Sequence, residues 1–389
     1  MKPTRTRRTA RRAAATTAGT VLSLLLAACG ADGGTSDDKP ATAADIEGIK
    51  TAKAKVRSYA EAPTSIGITQ PVGKPIPSDK KIVMIGAGPG GIGTIIAHDA
   101  MAEAVKELGW ELKFIQPKEP TPQLLQQALE QAIRLDPDAV VISATNKDPI
   151  LDQLAKLKAK NIPVVSNNGP DPSGGPITIQ ISGLDALSEL AVAIADKTLA
   201  DMGEPGTIGI VGLPGYRIVQ EYIGVYKEEI ETKCPSCEIV ETTISVASLG
   251  TTAGTDMTNF TRANPDMKAL FVGYDAMGTN LFSAAQAAGA KLPRTYSLGT
   301  APASIPALAS GGLTASAPLD QGEMGWRTVD ALARIFTGQT EGALEHDVKY
   351  THPVIWSSDL NNVPAAPIGN TFPNLVKDYP AQYKKLWGK

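Results

Sequence analysis

Three groups of residues in this chain have the types and spacing that do chemistry. The first is a glycine-rich turn, Gly86-Ala87-Gly88-Pro89-Gly90-Gly91, placed directly after the apolar run Ile82-Val83-Met84-Ile85. Glycines there let a ligand approach the backbone closely and leave amide N–H groups free to meet it. After a strand, such a turn also has the form of a dinucleotide fingerprint. An FAD- or NAD-dependent oxidoreductase using Gly86–Gly91 then needs an acid at the end of the second strand to hold the ribose. The run Glu111 to Ile115 ends instead in Gln116-Pro117-Lys118, with Glu119 beyond the proline. The oxidoreductase is therefore the alternative reading; amide contacts to an unreacted ligand are preferred, and no cofactor is expected. The second group is Cys234 and Cys237, in Lys233-Cys-Pro-Ser-Cys-Glu238. A redox pair of this spacing opens a helix, whose dipole lowers the thiol pKa. Here a helix-like segment, Tyr216 to Thr232, comes before the pair and a strand, Glu238 to Ile244, after it. A disulfide clipping a helix-to-strand turn is expected, ahead of redox chemistry or half a zinc site. The third group is the histidines His98, His346 and His352, none with a Ser or Cys nucleophile in register, and Gly-x-Ser-x-Gly is absent. With three histidines and three cysteines in all, no metal centre is expected, and the chain is not read as an enzyme.

The N-terminus is a targeting segment. Lys2, Arg5, Arg7, Arg8, Arg11 and Arg12 form a basic head with no acid before Asp32, and an apolar run around Val21 to Leu26 follows. That run is too short to span a bilayer and is flanked as a signal peptide should be. It ends in Leu26-Ala27-Ala28-Cys29-Gly30, which resembles the bacterial lipobox. The resemblance implies cleavage after residue 28, lipidation of Cys29 and anchoring outside the cytoplasm on the cell membrane. Paired arginines leave both general and twin-arginine export open. Residues 29–78 are rich in Ala, Gly, Thr, Asp and Pro and read as a flexible tether, with helical character between Asp45 and Tyr59. Loss of the six cationic residues takes the formal charge from -3 to about -9. So acidic a domain disfavours nucleic acid as a partner. No second apolar stretch is long enough to span a membrane.

From Lys80 short apolar runs alternate with amphipathic stretches. Ile82 to Ile85, Glu111 to Ile115, Ala139 to Ile142, Ile162 to Val165 and Ile177 to Ile181 read as strands. The segments between them carry apolar residues at helical spacing, as in Ile96, Ala100, Met101, Ala104, Val105 and Leu108. The rhythm restarts after Leu184, with strands at Thr207 to Val211, Glu238 to Ile244, Ala269 to Val272, Thr295 to Leu298 and Leu313 to Ser316. A helix from Glu323 to Phe336 and a strand around Val348 to Trp356 close the series. Near-continuous apolar strands between helices mean parallel sheets covered on both faces. Two such sets mean an α/β fold of two doubly wound lobes, with ligand beyond the carboxyl ends of the strands.

The sequence resembles the periplasmic-binding-protein family of the ribose and galactose type. The resemblance rests on Asp138-Ala-Val-Val-Ile142, Lys160-Asn-Ile-Pro-Val-Val165, Ala269-Leu-Phe-Val-Gly-Tyr-Asp-Ala-Met-Gly278 and Gly311-Gly-Leu-Thr-Ala-Ser316. It implies a lobe of residues 79–182 plus 320–351, a lobe of 183–319 plus 352–365, a tail at 366–389, and a hinge of three crossings. Those crossings fall near Ser182-Gly183, Leu319-Asp320 and residues 350–352. It further implies a monomer that closes on a small polar ligand, a sugar by preference, and delivers it to an ABC permease. The family's stacking aromatics are missing from the Gly86–Gly91 loop. Tyr274 stands where a ligand Asn is usual, and the cleft Arg position falls on Glu221, with Arg217 a turn away. The expected ligand contacts are the amides of Gly90 and Gly91 with Ser143, Asn168, Arg217, Tyr274, Asp275 and Asp320. Trp326 and Trp356 are expected to pack in the core rather than on ligand.

Overall fold

The computed structural model describes residues 40–88, 90–249, 251–344, 353–365 and 372–389. The expected signal segment, Cys29, His346, His352 and the crossing expected at 350–352 lie outside the described residues.

The apolar runs form two parallel sheets. The first contains β1 (Lys81–Ile85), β2 (Glu111–Ile115), β3 (Ala139–Ser143), β4 (Val164–Asn167) and β5 (Ile179–Ile181), in the order β2-β1-β3-β4-β5. The second contains β6 (Thr207–Gly212), β7 (Glu238–Thr243), β8 (Met267–Val272), β9 (Arg294–Leu298) and β10 (Ala315–Ala317), in the order β10-β9-β8-β6-β7. Both orders carry the reversal that creates a crevice at the strand ends.

In the first lobe β1 buries both faces. Ile82 and Met84 pack toward α2 (Ile92–Leu108), while Val83 and Ile85 pack toward α3 (Pro122–Arg134) and α4 (Leu151–Ala159). Two faces buried at once explain why the run shows no alternation. The second lobe is built around β6 and β8 with α5 (Leu184–Met202), α6 (Arg217–Lys233), α7 (Ala253–Ala263), α8 (Asp275–Ala287) and α9 (Ile305–Ser310). The chain passes from β5 into α5 at Ser182-Gly183. It returns from β10 through Leu319-Asp320 into α10 (Gln321–Phe336), which lies against α2. Helix α11 (Thr340–Leu344) follows.

The composition-based tether is corrected for its described part. Helix α1 (Ala43–Val56) opens on a capping box between Thr42 and Asp45 and buries Ile49, Ala52 and Val56 on the second lobe. A 14-residue helix is marginal alone in water, so this packing is what sustains it. Cys234 and Cys237 are joined in a disulfide, and the turn they clip receives α1: the Ser236 N–H donates to Asp45 at 3.0 Å. Downstream, Ile66 and Ile68 enter the core of the first lobe. Arg327 and Arg334 of α10 donate to the carbonyls of Ile66 and Gln70, and the Val72 N–H donates to the Leu386 carbonyl. The segment is thus a strap lying on both lobes. Hydrophobic residues spaced among Thr, Gly and Pro hid it, since each anchor is single.

The described part of the tail is also folded. Helix α12 (Tyr379–Leu386) and Trp387 seal the first lobe, with Trp387 stacked on Trp326 at 5.5 Å and its indole N–H donating to Asp330 at 2.6 Å. Trp356 stacks on Phe372 and pairs through its backbone with Ser316 at the edge of the second sheet. Residues 353–356 make that single bridge rather than a strand among the described residues.

Candidate functional site

The segments that follow the strands of the two sheets meet across a cavity of about 70 Å³. From the first lobe come Ala87, Gly91 and Gly93 after β1, Ala144 after β3 and Asn168 after β4. From the second come Tyr216 and Tyr222 beyond β6, Tyr274 after β8 and Leu298-Gly299 at the end of β9. The glycine turn sits at the centre. A Cβ on Gly86 would lie 1.7 Å from the Gln116 Oε1 atom, so that side chain would have to move, and Gly88 takes a φ of +84°, which favours glycine.

Two tyrosines from the second lobe reach across to this turn. The Tyr216 hydroxyl donates to the Ala87 carbonyl at 2.9 Å, and the Tyr274 hydroxyl donates to the Gly90 carbonyl at 3.2 Å. Burial pushes both phenols upward, Tyr216 to about 12, so they remain neutral donors at physiological pH. The N–H groups of Gly93 and Ile92, at the positive end of α2, also face the Tyr274 hydroxyl. The third ring is fixed within its own lobe, where the Tyr222 hydroxyl donates to the Gly273 carbonyl at 2.5 Å.

Asn168 takes the left-handed backbone conformation, φ 51°, which Asn tolerates better than most residues. Its amide N–H donates to Gln321 at 3.1 Å, while its Oδ1, buried with the rest of the side chain, has no hydrogen-bond partner among the described residues. Outside the turn lies a wider chamber of about 900 Å³, where Gly90, Lys118, Thr121 and Asn146 face Thr243 and Ser245. At its edge Arg217 spans the lobes, 3.6 Å from Asp171 and 3.7 Å from Asp148.

A sequence model for the periplasmic binding protein domain matches residues 83–340. This chain belongs to that family. Solved structures agree on the fold of this binding protein. An ABC sugar transporter subunit from Rhodobacter sphaeroides superposes with a TM-score of 0.61 at 20% identity, covering 72% of this chain and 98% of its own. A 5-methylthioribose transporter solute binding protein from Thermotoga lettingae gives 0.65 at 16% identity, over 82% and 96%. An arabinose binding protein from Geobacillus stearothermophilus gives 0.58 at 18% identity, over 74% and 100%. No curated protein sequence matches the chain.

Of the residues expected at the ligand, the binding protein brings Gly91, Asn168 and Tyr274 to the inner cavity and Gly90 to the outer chamber. The Gly91 amide is already used, donating to the Gly88 carbonyl at 3.0 Å, so the expected amide contact is corrected there. Ser143 stands one layer back, 3.0 Å from the Thr94 hydroxyl that lines the cavity. Asp275 is corrected outright. Fully buried, it accepts from Ser297, from Ser304 and from the Ala301 N–H, tying α8 to the loop after β9. Asp320 is likewise structural: it caps α10 through the Glu323 N–H at 2.9 Å and holds the tail through the Leu375 N–H at 2.8 Å. Arg217 is engaged with acids and does not line the inner cavity. His98 stacks on Phe114 beside Asp99, away from the cavity.

Sequence reasoning missed Tyr216, Tyr222, Thr94 and Gln321 as lining residues, and it named Leu319 only at a hinge crossing. Tyr216 was detectable in principle, since it begins the helix after a strand, where ligands of such sheets sit.

Proposed function

We propose that this chain is an extracytoplasmic solute-binding lipoprotein, lipidated at Cys29, that captures a small polar solute by closure of its two lobes and hands it to an ABC permease. The observation that carries the reading is the cavity between the strand ends of two parallel sheets, bridged by Tyr216 and Tyr274 onto the glycine turn. Solute touching both lobes favours the closed arrangement by the contacts it gains only there. A sugar or polyol is the favoured class, in keeping with the ligands named for the Thermotoga lettingae and Geobacillus stearothermophilus proteins. No bond is made or broken in this role, and the chain acts as a monomer.

The oxidoreductase alternative fits the geometry poorly. The space a dinucleotide needs over the glycine turn is taken by Tyr216 and Tyr274 from the opposite lobe. Thermal unfolding in a panel of pentoses, hexoses, polyols and nucleosides tests the proposal. A solute at one hundred times its Kd adds about 2.7 kcal/mol of stability, a shift of several degrees. A panel without any shift, combined with stabilisation by FAD or NAD, would transfer the chain to the alternative.

A further inference from the structure

The walls of the inner cavity are unlike what a bare polyol needs. Among the described residues, no side chain charged at neutral pH lines it. The hydroxyls of its three tyrosines each donate to a main-chain carbonyl, so their rings, with Leu187, Val219, Leu298 and Leu319, make most of the wall, and Thr94, Asn168 and Gln321 supply its polar side chains. The Asn168 Oδ1 is the buried acceptor there without a partner among the described residues. A pentose placed among these walls would leave several hydroxyls unpaired, each costing on the order of 1–3 kcal/mol. The volume sets a second limit. A dry cavity of about 150 Å³ takes a benzene, so one of about 70 Å³ accepts a group of roughly three heavy atoms. The outer chamber reverses both properties. It is about 900 Å³ and offers Lys118, Glu119, Thr121, Asn146, Thr243 and Ser245. The two spaces share Ala144 and flank one turn, with Gly91 on the inner side and Gly90 on the outer.

We infer that the solute is two-part: a polyol body held in the outer chamber, bearing a compact, uncharged apolar substituent that enters the inner cavity between Tyr216, Tyr222 and Tyr274. The inference rests on the solute-binding reading and names the class of solute that this site selects. A donor at the junction of the two parts, a hydroxyl or N–H, meets the Asn168 Oδ1.

Calorimetry with D-ribose, 5-deoxy-D-ribose, 5-methylthio-D-ribose and D-ribose 5-phosphate tests it on the unaltered protein. Each buried carbon is worth about a fourfold gain in affinity. The 5-methylthio sugar is therefore expected to bind at least tenfold more tightly than ribose, the 5-deoxy sugar between them, and the phosphate most weakly. Ribose binding as tightly as the methylthio sugar, or the phosphate binding tightest, overturns the inference and leaves the solute-binding reading standing. If no member binds, and the wider thermal panel is also silent, both fall. Val219→Phe, which adds bulk at the cavity wall, locates the effect. The ratio of methylthio-sugar to ribose affinity should fall toward one; an undiminished ratio in the folded variant places the apolar group elsewhere and overturns the inference.

Discussion

Asp320 shows how a residue in the expected position can do different work. Burial, with the neighbouring Glu323 carboxylate adding to it, raises its pKa to about 7 against the pull of the Glu323 and Leu375 N–H groups. Between the ordinary carboxylate range and that value the folded protein keeps a proton that the unfolded chain has released. Stability from this group is therefore complete in acid and declines as pH rises through about 7. Buried Asp275 is shifted in the same direction and adds to the slope. Thermal unfolding followed from pH 4 to 8 should show Asp320→Asn with a flatter decline than the parent, since Asn can still cap α10. An unchanged slope would deny the buried carboxylic acid. Tyr274→Phe removes one interlobe hydrogen bond of about 1 kcal/mol while keeping the ring. Solute affinity is expected to fall about fivefold with the melting temperature nearly constant; equal affinity would mean that the hydroxyl takes no part in closure. That Asn168 and Tyr274 line the cavity was legible from their places after strands. Asp275 and Asp320 were misread because acids beyond strand ends serve loops and helix caps as readily as ligands, and only the hydrogen-bond partners separate the two roles.

At the scale of elements, the strands and principal helices were readable, since apolar runs and helical spacing are local signals. Helix α10 illustrates the precision available. The pattern suggested a start at Glu323, whereas the Asp320 cap starts it at Gln321. The helix within the strap was readable between Asp45 and Tyr59, but its docking and the folding of the tail were not, because their anchors, Ile49, Ile66, Ile68, Tyr383 and Trp387, are sparse and acquire meaning only against partners far along the chain. Gly48 tests the strap. Glycine inside a helix normally costs about 0.5–1 kcal/mol relative to alanine. A Cβ on Gly48, however, would lie 2.0 Å from the Lys233 carbonyl oxygen, next to the disulfide-clipped turn. Gly48→Ala should therefore lower the melting temperature by a few degrees instead of raising it. A rise would show that α1 does not sit against α6 in solution.

At the scale of the molecule, a repeated β-α rhythm led to two lobes, and the family match and shared fold agree. What the sequence left out is how the lobes touch. Closure here is drawn by side chains, Tyr216 and Tyr274 on the turn and Arg217 toward Asp148 and Asp171, as well as by whatever solute lies between. Arg217 is half-exposed and lies beyond 3.5 Å from both the exposed Asp148 and the buried Asp171, so these pairs contribute little to affinity and more to steering the lobes together. The strap adds a further connection from α1 on one lobe to Ile66 and Ile68 on the other. Small-angle X-ray scattering on the protein, free and saturated with the tightest solute from the calorimetric series, measures the clamp directly. The radius of gyration should decrease on binding, with the scattering curve of the bound form matching the arrangement described above. Identical curves, with binding established independently by heat release, would mean that the lobes do not close on their solute.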